Sequence, residues 1–86
     1  MGIQYTKHAE ATLAERKIAK ETVEELLNNP QQVIKGKGNK RIVQGILKHA
    51  DEELLLRVVY VEAKGIEKVI TAYWTSKIGK YWEKKQ

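Results

Sequence analysis

Hydrophobic and polar positions change their spacing once along this chain, at Pro30, and the change separates a helical segment from a sheet-forming one. Before Pro30 the apolar residues recur at helical intervals. In TKHAEATLAERKI, Ala9, Leu13 and Arg16 fall at i, i+4 and i+7, so Arg16 shares the apolar stripe, and Thr6 stands where an N-cap hydroxyl accepts a backbone N–H. In AKETVEELLNN, Val23, Leu26 and Leu27 form the inward stripe and Asn28-Asn29-Pro30 ends the helix. Its start is open between Glu21 in the first turn and a Thr22–Glu25 capping box.

After Pro30, QQVIKG, RIVQGILKH, ELLLRVVYVEA and KVITAYWT read as four strands, with turns at 36–39, 50–52 and 64–65. Connections this short predict antiparallel hairpins. Alternation sends Leu54, Leu56, Val58 and Tyr60 to one face, with Val43, Leu47, Ile70, Ala72 and Trp74 beside them. Gln44, Lys48, Arg57, Thr71, Tyr73 and Thr75 are left on the open face. The expected fold is α+β, with two N-terminal helices packed on one face of a four-stranded, mainly antiparallel sheet. The tail SKIGKYWEKK is either a last helical turn or an extension, with Tyr81 and Trp82 packed back on the sheet or stacking on bases.

With 86 residues, 42% of them apolar and 31% charged, one core must supply nearly all the burial, so residues 1–86 read as a single globular domain. The absence of cysteine excludes disulfides and thiolate metal sites. No apolar run approaches a membrane span and residues 1–15 lack a signal-peptide core, so a cytoplasmic protein is expected. The net charge of +5 is unevenly placed: residues 1–34 hold four bases and five acids, residues 35–86 twelve bases and six acids. A basic half suits a polyanion such as RNA, or serves only as a lysine-rich solubilising surface on a protein-interaction module.

The single aspartate, Asp51, falls in a turn, and His8 and His49 are far apart, so neither a metal nor a cofactor is expected. GKGNKR lacks the spacing of a nucleotide cradle and reads as a hairpin tip, where Lys35, Lys37, Lys40 and Arg41 can grip phosphates. Gln44, Lys48, Thr71 and Lys77 extend this candidate RNA-binding set. Cleaving RNA without a metal needs a base for the ribose 2′-OH, cations for the phosphate and a donor for the leaving oxygen. His8, Arg16, Arg57 and Tyr73 are the matching residues. His8 lies in a first helical turn, where the positive dipole end disfavours imidazolium, and a planar guanidinium suits bidentate phosphate binding.

His8-Ala9, Arg16 and Ile18 before a short acidic helix, then Asn29-Pro30, a basic hairpin and a closing strand with Thr71 and Tyr73, resemble a family of small uncharacterised prokaryotic domains. That family is similar to the RelE and BrnT toxins of toxin–antitoxin systems, and the resemblance covers about residues 4–82. It implies helices on one face of a curved antiparallel sheet, metal-independent endoribonuclease activity at the other face or its edge, and an antitoxin protein as a partner. Thr12 stands where such sequences often carry an arginine, a departure that favours the alternative of a non-catalytic RNA-binding domain.

Overall fold

The computed structural model describes residues 2–84. The chain runs β1 (Gly2–Tyr5), α1 (Lys7–Glu15), α2 (Lys20–Asn28), β2 (Gln32–Lys35), β3 (Lys40–His49), β4 (Glu52–Ala63), β5 (Ile66–Thr75) and α3 (Ile78–Tyr81). One sheet holds all five strands in the order β1-β5-β4-β3-β2. The three hairpins from β2 to β5 are antiparallel, while β1 runs parallel to β5, pairing Gly2 with Ile66 and Tyr5 with Val69.

This corrects the expected four-stranded, mainly antiparallel sheet bearing two packed helices. The sheet is five-stranded and mixed, and the helices are short: α1 rests on β5 and β1, whereas α2 rests on β3. Strand β1 escapes a periodicity search because four residues, only Ile3 and Tyr5 of them bulky and apolar, hold too little alternation to register. Its place is fixed from a distance, by pairing with β5 and by the Tyr5 hydroxyl, which donates to Glu24 of α2 at 2.7 Å.

Local signals explain the helix boundaries. Thr6 Oγ1 accepts from Ala9 N at 3.0 Å and caps α1. Helix α2 begins at Lys20 with Glu21 in its first turn and no side-chain cap. Ala9, Leu13, Ile18, Val23, Leu26 and Leu27 then meet Val43, Leu56, Val58, Tyr60, Val69 and Ala72 in the core. Each fully enclosed leucine or valine contributes about 1.5–3 kcal/mol relative to exposure. Gly45 lets α2 approach β3, since a Cβ there would lie 2.7 Å from Leu26 Cδ1.

A second correction concerns Ile70. Val59 pairs with Thr71 and Tyr60 with Val69, so Ile70 is the extra residue of a bulge in β5. The bulge reverses the side-chain parity, and Val69 takes the core position that uninterrupted alternation assigns to Ile70. Among the described residues, no helix is long and apolar enough to cross a membrane and no group of three or more His, Cys, Asp or Glu is gathered for a metal.

Candidate functional site: a polar row and a half-open strand edge

The face opposite the helices carries a polar row whose members lie side by side on four strands. Strand register places Gln32 beside Gln44, Gln44 beside Arg57, and Arg57 beside Tyr73. Their side chains form a continuous chain of hydrogen bonds. Gln44 Nε2 donates to Gln32 Oε1 at 2.8 Å, Arg57 Nε donates to Gln44 Oε1 at 2.9 Å, and Arg57 Nη1 donates to the Tyr73 hydroxyl at 2.6 Å.

Far from being open, this face is crossed by the C-terminal segment. The chain leaves β5, forms the single turn of α3 and runs back over the row. The Tyr81 ring lies 4.1 Å from the Arg57 guanidinium carbon, and Gln44 Nε2 also donates to Tyr81 O at 3.0 Å. Gln32 brackets Glu83, donating to its carbonyl at 2.6 Å and accepting from its N–H at 3.1 Å. Gln44 is fully enclosed as a result, and Arg57 is 8% exposed.

A guanidinium is costly to bury without an anion. Arg57 receives two neutral acceptors and the electron-rich face of Tyr81 instead, and among the described residues no carboxylate forms an ion pair with it. Its positive charge is hydrogen-bonded but not neutralised.

The second part of the site follows from the shortness of β1. That strand pairs with β5 only as far as Val69, so residues 70–75 have no strand partner on this side. Helix α1 turns away after Thr6, and Arg16 at its C-cap returns to donate from Nη1 to Ala72 O at 2.8 Å. A shallow cleft lined by Arg16, Tyr73 and Trp74 opens at this edge. Trp74 stacks on His49 with centroids 4.5 Å apart, and its indole N–H is buried without a partner.

Three of the four candidate catalytic residues are therefore connected: Arg16 and Tyr73 line one cleft, and Tyr73 bonds to Arg57. His8 is not among them. It is exposed, its Nε2 lies 3.4 Å from Thr12 Oγ1, and two further turns of α1, about 12 Å of axial rise, separate it from Arg16. The candidate RNA-binding residues are dispersed. Lys35, Lys37, Lys40 and Arg41 are exposed around the β2–β3 hairpin, with Arg41 held by Glu62 at 3.3 Å. Lys48 sits at the other end of β3 opposite Glu53, Thr71 lies opposite Val59 on the polar-row face, and Lys77 precedes α3. Gln44 has no free surface and acts as the bridge of the polar row.

Gln32 and Tyr81 complete the arrangement, and neither belongs to the candidate set read from the sequence. Gln32 carries no signal beyond its place in a strand. The residues around Tyr81 do show a concentration of aromatics near lysines, and packing back on the sheet is one of the two placements expected for Tyr81, but the pattern does not single out Arg57 as what it covers.

A family model described as Domain of unknown function (DUF4258) matches residues 5–74, which include β5 as far as Trp74 and exclude the crossing segment. No curated protein and no solved structure matched the chain.

Proposed function

The chain belongs to this DUF4258 family, and we propose from its own side chains that it binds single-stranded RNA through phosphates at the polar row around Arg57 and the adjoining half-open edge of β5. The observation that carries the reading is Arg57, a cation enclosed by neutral partners whose charge an incoming phosphate would complete. Arg16 and Tyr73, sharing the adjacent cleft, add a second cation and a hydroxyl that retains its own proton for donation. Exposed Lys35, Lys37 and Lys40 supply longer-range attraction without specificity. Affinity for an oligouridylate should fall steeply as salt rises. Arg16→Ala should weaken binding at low salt and flatten the log–log salt slope by about 0.7, the share of one single-strand phosphate contact. Binding indifferent to salt, or none at low salt, would leave only a protein-interaction module.

A second reading, a metal-independent endoribonuclease similar to the RelE and BrnT toxins and paired with an antitoxin, is favoured by one contact. The Tyr73 hydroxyl sits 2.6 Å from Arg57 Nη1 and lines the cleft with Arg16, placing a proton-transferring group among cations suited to a pentavalent phosphate. Attack by the 2′-OH would break the P–O5′ bond and leave a 2′,3′-cyclic phosphate. Excess EDTA should then not abolish cleavage, and Tyr73→Phe should slow it about a hundredfold or more with the fold intact. Wild-type protein that retains RNA uncut for hours, free or on ribosomes, decides for binding alone.

A further inference from the structure

The segment after β5 lies across the strands rather than along them, and its contacts reach three members of the polar row. Tyr81 covers Arg57 on β4, its carbonyl is held by Gln44 on β3, and Glu83 is bracketed by Gln32 on β2. We propose that residues 77–84 form a displaceable strap that occupies the ligand position on Arg57, so that RNA binds only when Tyr81 is displaced. The inference rests on the RNA-binding reading above and assigns that site its regulation.

Three observations support displacement over permanent packing. Helix α3 is a single turn with no buried residue and with Gly79 inside it, so little holds it in place from within. The hooks on Tyr81 O and Glu83 are side-chain amides bonded to backbone groups, which water replaces when the segment lifts. The Tyr81 ring over the guanidinium also occupies the geometry a nucleobase adopts on arginine, so an unstacked base and its phosphate substitute for it in kind.

The bonds of Arg57 to Gln44 and Tyr73 involve no atom of the strap, so its displacement need not break them. Opening therefore uncovers a cation that is already oriented. A closed-to-open ratio of about ten would lower apparent affinity about tenfold, because only the open fraction is competent.

Gln32 provides the test: its amide brackets Glu83 without touching Arg57, and although its Oε1 also accepts from Gln44 Nε2, the bond from Arg57 Nε to Gln44 Oε1 does not involve it; a β-branched residue suits its place in an edge strand. Gln32→Val in the full chain should bind a fluorescein-labelled oligouridylate about tenfold more tightly than wild type, with faster hydrogen exchange at the Glu83 amide. Tyr81→Leu, which keeps an apolar side chain over the sheet, should shift affinity in the same direction. Equal or weaker binding by both variants, with thermal melts showing them folded, would overturn the strap and leave the RNA-binding reading standing. No binding by wild type or either variant at low salt would overturn both.

Discussion

Glu67 shows how a single side chain can work against the fold. It lies directly opposite Glu62 on the β4–β5 hairpin, in a depression also lined by Glu24, and Glu62 has Arg41 as its salt-bridge partner at 3.3 Å. Partial burial first, and the charge of Glu62 second, raise the Glu67 carboxyl above its ordinary value. The linked stability is thus fully present at acid pH, below the unfolded pKa, and is lost as pH rises through the folded one. Glu67→Gln should stabilise the protein at neutral pH by roughly 0.2–1 kcal/mol, the range for like charges facing across strands. Chemical denaturation at pH 7 and near pH 4 checks this, with the advantage of glutamine shrinking at the lower pH. A constant difference across that range would mean the repulsion is absent. Tyr5 titrates at the alkaline end for related reasons: burial and its bond to Glu24 hold the phenol protonated well beyond its normal range, so this contact persists until strongly alkaline pH.

At the level of elements, the hairpin turns show where residue type and backbone disagree. Lys64 and Gly65 both have positive φ, at 55° and 79°, the two-residue geometry whose twist matches its strands. The β3–β4 turn repeats that geometry with Ala50 at 53° and Asp51 at 65°, but alanine is poorly suited to the left-handed region. Ala50→Gly should relieve about 1 kcal/mol of that strain, partly offset by greater freedom of the unfolded chain. A raised melting temperature with unchanged circular dichroism is the expected outcome, and a lowered one would show that chain entropy dominates. The same pairs of elements show how far the chain could be read in advance. Alternation places Gln44, Arg57 and Tyr73 together because β3, β4 and the upper part of β5 are long and locally regular. It fails at Ile70, where a bulge shifts the parity, and at β1, whose pairing is with a strand distant in sequence. The side chains of Gln31 and Gln32 illustrate a different limit. Gln31 bonds to both the N–H and the carbonyl of Ile46, and Gln32 does the same with Glu83, so each amide stands in for a peptide unit. No spacing rule announces that use of glutamine.

For the molecule as a whole, the site lies where two topological facts meet: a first strand too short to cover the edge of β5, and a last segment that folds back over the opposite face. Arg16 was legible as an unusual cation on an apolar stripe, but its route around the strand edge to Ala72 depends on where β1 stops. His8 has the chemistry of a base but does not line the cleft that Arg16 and Tyr73 share, because helical spacing alone does not say which end of α1 reaches that edge. The parallel pairing of β1 with β5 also sets an order of events during synthesis. Residues joined in that ladder are 64 positions apart, so a chain emerging from a ribosome exposes β1 long before its partner exists. Helix α1 shares this wait, since its seat is also β5, whereas α2 can settle on β3 earlier. The β2–β3–β4 meander can form from local contacts, after which β5 supplies the docking edge for β1 and α1 together. Strand β1 is thus made before every other strand of this sheet and is among the last to find its place.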